Sequence, residues 1–265
     1  MSGNNLNQKV NQIELPQADV RLARWRHLQN TPEKLAAWYR QVVLERVAES
    51  MAFENQPVDL ERLRKLISEK ESIHSQAESR RIESCSSAPE LSERLAVPLV
   101  AIYDEILQES PKQLVINSEW LCIRHKRLAG HLFPDWAGRF RDVNVQVGSH
   151  TPPPYYEVPI HMRQFCDDLS ARLLHLNQES VANCAELLAW ADGRFQWIHP
   201  FKDFNGRIGR ALLAALLYKL ALPHVETAPL EPSARRQYLE ALNAADDSNL
   251  GPLTELWAHR IAGTL

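Results

Sequence analysis

The twelve residues at positions 199–210 read HPFKDFNGRIGR. They combine a histidine, an acidic residue, a short turn that contains glycine, and two arginines. When such a turn leads into a helix, it points free backbone N–H groups and the positive end of the helix dipole at an anion. The segment therefore predicts a phosphate-binding site at the start of a helix.

The polar side chains of this segment suit phosphate chemistry. Asp203 offers the hard oxygen ligand that Mg²⁺ prefers, and Asn205, Arg207 and Arg210 can donate hydrogen bonds to phosphate oxygens. His199 lies just before the turn, where a neutral imidazole can accept the proton of an attacking hydroxyl. Taken alone, the NGR part also fits an ordinary loop–helix junction with two surface arginines.

The complete segment resembles the signature of the Fic family, HPFxDGNGRxxR, with one departure. Phe204 stands where that family has glycine or another small residue. The resemblance covers about residues 83–265. It includes the segments 138–141, 145–150, 152–154 and 158–162, which are similar to the family's flap and the helix after it, and the segments 190–198, 238–242 and 252–253.

The resemblance implies a mainly α fold, the Fic fold, which is a helical bundle with a β-hairpin flap near the active site. It also implies an enzyme that transfers AMP from ATP to a Ser, Thr or Tyr hydroxyl of a target protein, with self-modification as a further expectation. The matching positions carry these roles: His199 is the general base, Asp203 holds Mg²⁺, Asn205, Gly206 and Arg207 bind the phosphates as an anion hole, and Arg210 binds the γ-phosphate.

The flap is expected from the residues as well as from the resemblance. Apolar Val143, Val145 and Val147 alternate with polar residues before Gly148, a pattern typical of a β-hairpin. In the family, the flap pairs main chain to main chain with the target segment, which places docking at Val145, Gln146, Val147 and Gly148. Such pairing grips an extended segment with little regard for its side chains, so the target protein is not named by the sequence.

A built-in inhibitor is a second expectation from the resemblance. Many Fic proteins carry a helix with Ser or Thr, three residues of any type, Glu, and then Gly or Asn. Ser79 to Ser84 resembles this pattern, although Ser84 stands at the last position. The resemblance predicts that Glu83 pairs with Arg210 and restrains ATP binding, and it leaves open that Glu83 supports hydrolytic removal of AMP. An exposed glutamate on a charged helix explains the same residues.

Phe204 leaves three outcomes open for the chemistry. An aromatic residue rarely adopts the positive φ that glycine tolerates, so its ring can alter or crowd the phosphate site. AMP transfer with slightly altered phosphate geometry, transfer of another phosphate-containing group, and a nucleotide-binding or interaction module with impaired catalysis all fit the sequence.

Composition bounds the remaining classes of function. The chain has 265 residues, a net charge of −3 and four scattered cysteines. It therefore lacks a broad basic surface for nucleic acid, and neither a zinc site nor a disulfide framework is indicated. Neither a signal-peptide pattern nor an apolar run of membrane-spanning length occurs, so we expect a cytoplasmic protein with free thiols and no membrane partner.

Helical periodicity predicts the organisation of the chain. We expect no regular structure in the first twenty residues and helices at 32–51, 58–84, 91–109, 118–132, 159–176, 180–196, 206–220, 233–246 and 253–262. The chain divides into an N-terminal helical extension, 1–65, and a Fic domain, 66–265, with the inhibitory helix at about 66–84. The extension fits either a dimerising element, giving a homodimer, or a lid.

Overall fold

The computed structural model describes residues 15–74, 88–148 and 150–265. These residues form ten α-helices, and within them the mainly α prediction is confirmed. The helices are α1 (Leu15–Leu28), α2 (Pro32–Phe53), α3 (Leu60–His74), α4 (Ala88–Gln108), α5 (Ser118–Ala129), α6 (Val158–His175), α7 (Val181–Ile198), α8 (Asn205–Lys219), α9 (Pro232–Asp246) and α10 (Gly251–Thr264), with a 3-10 helix at Tyr155–Glu157.

Local capping signals explain why several predicted boundaries lie within one or two residues of the observed ones. Thr31, Asn117 and Ser180 precede α2, α5 and α7, and each side-chain oxygen accepts the N–H three residues ahead at 3.3, 2.7 and 3.4 Å. Such caps satisfy N–H groups that have no partner inside the helix. For α3, described up to His74, the predicted continuation to residue 84 lies outside the described residues.

Helix α1 corrects the expectation that the first twenty residues lack regular structure. Ala18 and Leu22 are fully buried, and the Trp25 indole N–H donates to the Ala221 carbonyl at 3.0 Å. Positions 18, 22 and 25 share one face of a helix. Other apolar residues of α1, such as the exposed Val20 and Leu28, lie off this face, so the periodic signal is weak, and the helix is stabilised by its contact with the core.

Helices α7 and α8 form the centre of the bundle and lead into the segment that carries the Fic-like signature. Helix α8 is buried on nearly all sides, and α10 packs along α7. A Cβ at Gly209 would collide with the Gln196 amide and lie 3.2 Å from the Phe195 ring. Glycine at this position therefore permits the close approach of α7 and α8 that places the connecting loop.

Helix α2 belongs to the same apolar core. It packs against α4 and α8, its Val47 and Met51 are fully buried, and the Tyr39 hydroxyl donates to the Leu222 carbonyl at 2.8 Å. The division at residue 65 remains a prediction. What matters for the site is that the C-terminal end of α2 is held against α8.

The β-hairpin expected between residues 136 and 158 is not confirmed. Val147 and His150 form one antiparallel bridge, with N–H to carbonyl distances of 3.0 and 2.9 Å, and no longer ladder occurs in the part of this segment that the structure describes. The Gln146 amide donates to the carbonyls of Gly148 and His150 at 3.1 and 2.7 Å. These carbonyls are thus bonded by a side chain, and the segment is a loop with a tight turn.

The described cysteines are free thiols, as expected. Cys122, Cys166 and Cys184 form no disulfide, and Cys85 lies outside the described residues. Across the described ranges, no helix is long and apolar enough to cross a bilayer.

Candidate active site

Helix α8 starts without a side-chain cap. The side chain of its N-cap residue, Phe204, forms no hydrogen bond to the first N–H groups of the helix. Helices α2, α5 and α7, in contrast, have such a cap. The first N–H groups of a helix need external acceptors, and the helix dipole favours a negative one. The predicted anion-binding position therefore has the expected backbone arrangement.

Asn205 shapes this turn through its side chain. Its amide oxygen accepts the Phe201 N–H at 2.8 Å, and its amide N–H₂ group donates to the Phe201 carbonyl at 2.9 Å. The residue is 2% exposed. Because the amide is occupied at both ends, the side chain of Asn205 braces the loop, and its main-chain N–H is the group directed along the start of α8.

Phe204 is accommodated in a left-handed conformation. Its φ of 60° is one that non-glycine residues rarely adopt and costs about 1–3 kcal/mol. The ring packs against the rings of Phe133, Trp136 and His125, with centroid distances of 5.7, 5.9 and 6.3 Å. It is 6% exposed. Burying an aromatic ring in such a cluster offsets the backbone strain, which explains how this position dispenses with glycine.

His125 contacts the same loop through its side chain. The Gly138 N–H donates to Nδ1 at 2.8 Å, and Nε2 lies 3.2 Å from the Asp203 carbonyl. This pattern fixes the tautomer with hydrogen on Nε2, which donates to Asp203. Burial lowers the pKa of His125 to about 4, so the ring is neutral. The sequence analysis did not identify His125, because its role depends on a contact 78 positions along the chain.

His199 has the protonation state that a general base needs. It ends α7 in a left-handed conformation with φ 48°, and its Nδ1 lies 3.3 Å from the Gln196 carbonyl. Donation from Nδ1–H leaves Nε2 as the proton acceptor. Burial, followed by the nearby charge of Arg141, lowers the pKa of His199 to about 4. The imidazole is therefore neutral at physiological pH.

Asp203 is exposed beside this histidine. One carboxylate oxygen accepts the Phe204 N–H at 2.6 Å. In the described part of the chain, no cluster of three His, Cys, Asp or Glu residues could hold a metal ion unaided. A single carboxylate nevertheless fits Mg²⁺, which is usually held by one or two carboxylates together with substrate phosphates and water.

Two buried arginines line the start of α8. Arg207 and Arg210 are 4% and 2% exposed. Arg207 donates to the Gln56 amide oxygen at 2.5 Å, and its buried Nε has no hydrogen-bond partner. An unsatisfied buried donor is costly, so this nitrogen is suited to receive an acceptor from a ligand.

Arg210 is held by the end of α2. Its Nη2 donates to the Glu54 carboxylate at 2.6 Å, and its Nε donates to the Ser50 hydroxyl at 2.8 Å. The Glu54 carboxylate also reaches Gly206, where an added Cβ would collide with it. A carboxylate thus lies at the N-terminus of α8, in the region where the sequence predicts phosphate.

The expected pairing of Arg210 with Glu83 stays a prediction. Ser79 and Glu83 lie outside the described residues, and the described carboxylate is that of Glu54. Ser50 to Asn55 reads SMAFEN, which matches every position of the inhibitory pattern. This signal was present in the sequence and was missed.

Asn55 has a physical reason to end that pattern. It follows the C-cap of α2 with a φ of 57°. Glycine and asparagine are the residues that most readily adopt this left-handed conformation after a helix. The last position of the pattern is therefore a helix-termination requirement, which Asn55 meets better than a serine would.

The flap loop, described at residues 143–148 and 150–153, closes the other side of the site. Val145, Gln146, Val147 and Gly148 line a cavity of about 600 Å³ together with His199, Asp203, Arg210 and residues of α9. The His150 ring anchors this loop, because Nδ1 lies 3.3 Å from an Asp246 carboxylate oxygen and Nε2 lies 3.0 Å from the Trp197 carbonyl. The predicted base, metal ligand, γ-phosphate arginine and docking loop thus meet at one cavity.

Fold and site together define an α-helical protein in which an anion-attracting helix N-terminus and a neutral histidine face one cavity. Residues 115–217 match the Fic/DOC family model. This part of the chain is similar to the Fic/DOC family.

Similar proteins agree with this family match. Protein adenylyltransferase Fic of Nematostella vectensis is 31% identical over 154 residues, which cover 56% of this chain and 34% of the relative. The chain thus spans about a third of the length of this curated relative. Fic-1 from C. elegans superposes with a TM-score of 0.70 at 20% identity, covering 94% of this chain and 70% of that one. A Fic domain containing signaling protein from Bacteroides thetaiotaomicron gives 0.65 at 19% identity, covering 93% of each chain. These structures confirm the Fic fold.

Proposed function

We propose that this protein transfers AMP from ATP to a hydroxyl side chain of a target protein. The observation that carries the proposal is the meeting of neutral His199, exposed Asp203 and buried Arg210 at one cavity in a Fic fold. The name of the Nematostella relative, a protein adenylyltransferase, supports the same reaction.

The start of α8 would hold the triphosphate. Its main-chain N–H groups, including those of Asn205 and Gly206, and the Arg207 guanidinium provide donors for the phosphate oxygens. Arg210 would bind the γ-phosphate once its present carboxylate partner has moved. Asp203 would hold Mg²⁺, which neutralises phosphate charge when bound.

His199 would act on the attacking hydroxyl. As the hydroxyl oxygen forms a bond to the α-phosphorus, its proton passes to Nε2 of His199, and the bond from the α-phosphorus to the oxygen shared with the β-phosphate breaks. Pyrophosphate leaves with that electron pair. The reaction depends on positioning and on charge stabilisation, so a neutral base at a fixed position is the main contribution of the protein side chains.

The flap loop would position the target. Among the described residues, the bridge occupies the main-chain groups of Val147 and the Gln146 amide occupies the Gly148 carbonyl, which leaves the main-chain groups of Val145 and Gln146 to pair with an extended target segment. The proposal that docking is by backbone pairing therefore does not require a preformed hairpin.

Glu54, in place of Glu83, would restrain the enzyme. A carboxylate and a γ-phosphate compete for the same guanidinium, since both are anions that accept its N–H groups. While Glu54 holds Arg210, the triphosphate would bind without its full set of contacts. Hydrolytic removal of AMP, self-modification and a homodimer remain predictions.

Labelling with ATP that carries an isotope in the α-phosphate tests the proposal. The Glu54→Gly protein should incorporate label into itself or into added protein. The His199→Ala variant in the same background should transfer label about 10²–10⁴-fold more slowly while still binding ATP. ATP binding without transfer by Glu54→Gly would instead support the nucleotide-binding module, and the enzyme proposal would be wrong.

A further inference from the structure

Arg141 is a buried cation at the entrance of the flap loop. It is 4% exposed, and its guanidinium donates to four main-chain carbonyls. The acceptors are the carbonyls of His199 at 2.9 Å, Val143 at 3.1 Å, Pro153 at 2.5 Å and Ile198 at 3.4 Å.

These carbonyls belong to two separate parts of the site. Ile198 and His199 end α7, and His199 is the proposed general base. Val143 and Pro153 lie in the flap loop, on either side of its docking residues 145–148. The main-chain N–H of Arg141 adds a bond to the Pro200 carbonyl at 2.9 Å. One residue thus connects both arms of the flap loop to the loop of His199.

Arginine is suited to this position. Its planar fork presents five N–H donors in fixed directions, whereas lysine has a single ammonium group on a flexible stem. The carbonyls at the end of α7 also lie at the negative end of the helix dipole, which favours a cation. Burial nevertheless lowers the pKa of Arg141, which indicates that the charge is held there at a desolvation cost.

We propose that Arg141 is a positioning residue that holds the flap loop and His199 at a fixed separation for transfer. It touches no reacting atom and acts through the carbonyls it bonds. The role rests on the proposed function, because a fixed separation between the docked hydroxyl and the base matters only for a transfer reaction. A misplacement of about 1 Å can cost about 100-fold in rate.

The charge of Arg141 has a second consequence for His199. A neighbouring cation disfavours protonation of the imidazole, which adds to the effect of burial. Removing it should therefore raise the pKa of His199. The other charged or titratable groups that line the cavity of His199 are His150 on the flap loop, Glu54, Arg210, Tyr238 and Asp246 from the surrounding helices, and Lys202 and Asp203 on the loop that follows His199.

Two substitutions separate the geometry of Arg141 from its charge. Arg141→Lys keeps the cation and loses the fork, and Arg141→Gln loses both. Arg26→Lys is the matched control, because the Arg26 guanidinium also donates to main-chain carbonyls, those of Gln178 and Leu220 at 2.7 Å each, away from the cavity.

Kinetics in the Glu54→Gly background give the first measurement. Both Arg141 variants should lower kcat for label transfer by about 10- to 100-fold, with KM for ATP changed by less than about threefold. Arg26→Lys should leave both constants unchanged. An unchanged kcat in Arg141→Lys, or an equal loss in Arg26→Lys, would overturn the positioning role.

NMR titration of histidine labelled at Cε1 gives a second measurement that needs no transfer activity. The resonance of His199 is assigned by its loss in His199→Gln. The pKa of His199 should rise from about 4 in Arg141→Gln and change less in Arg141→Lys. If neither the Glu54→Gly protein nor any variant transfers label, the proposed function is wrong. If the pKa of His199 is unchanged in Arg141→Gln, the proposed action of Arg141 on His199 is wrong, and the proposed function is not affected. If Arg141→Gln does not fold, Arg141→Lys still tests the positioning role through its kcat and through the chemical shift of its His199 resonance.

Discussion

Replacing Glu54 by glycine should raise the rate of AMP transfer at subsaturating ATP by about 10- to 30-fold. The carboxylate lies 2.6 Å from Nη2 of Arg210. Burial acts to raise the pKa of Glu54, but pairing with Arg210 outweighs it and the pKa is lowered. Glu54 is therefore ionised at neutral pH, and under the proposed function it would compete with phosphate for the guanidinium.

The magnitude follows from the strength of this contact. A hydrogen bond between charged groups contributes about 1.5–3 kcal/mol, and the Glu54 side chain is 32% exposed, so solvent screening favours the lower part of that range. At about 1.5–2 kcal/mol, Arg210 is released in roughly 3–7% of molecules, and the apparent affinity for productively bound ATP is reduced by that fraction.

Incorporation of α-phosphate label and ATP affinity by calorimetry measure this effect. Glu45→Gln is the control on the same helix, since Glu45 is exposed and no Arg210 contact is affected. Glu83→Gly tests the alternative assignment and should behave like the wild type. Labelling by Glu54→Gly within twofold of the wild type would refute the competition between carboxylate and phosphate.

Three further substitutions or conditions have defined outcomes. Because burial lowers the pKa of His199 to about 4, the base stays neutral as pH falls, and kcat/KM should hold from pH 8 to about pH 5; an acidic limb centred near pH 6.5 would contradict this. Phe204→Gly should lower the free energy of unfolding by about 2–3 kcal/mol, since the lost ring burial exceeds the relieved backbone strain. Urea unfolding measures this change, and stabilisation would contradict it. Asp203→Ala should weaken the Mg²⁺ dependence of labelling and lower the rate by about 10²-fold or more, with ATP binding in the absence of metal unchanged; a Mg²⁺ titration of labelling checks it, and a wild-type response would remove Asp203 from the metal site.

Local sequence signals were sufficient for most helices. Thr31, Asn117 and Ser180 mark helix starts that depend only on a side chain and the N–H three residues ahead. Helix α1 was missed because its apolar residues include exposed ones, such as Val20 and Leu28, which obscure the buried face of Ala18 and Leu22. The hairpin is not confirmed beyond one bridge, because alternation does not reveal that Gln146 bonds the carbonyls of its own turn.

The proposed chemistry of the site could be predicted from twelve consecutive residues, because the proposed base, metal ligand, anion-binding turn and two arginines follow one another there. The contacts that hold these residues come from elsewhere in the fold. Glu54 meets Arg210 across 156 positions of sequence, and Arg141 meets the loop of His199 across 58.

Phe204 shows the same division at a single residue. The sequence indicates backbone strain where glycine is usual, a local property of φ and the side chain. Only the packed structure supplies the rings of Phe133, Trp136 and His125 that offset this strain. Residue type and local spacing thus specify which groups can do the chemistry, while contacts between distant segments, which depend on how the helices pack, decide which partners hold them.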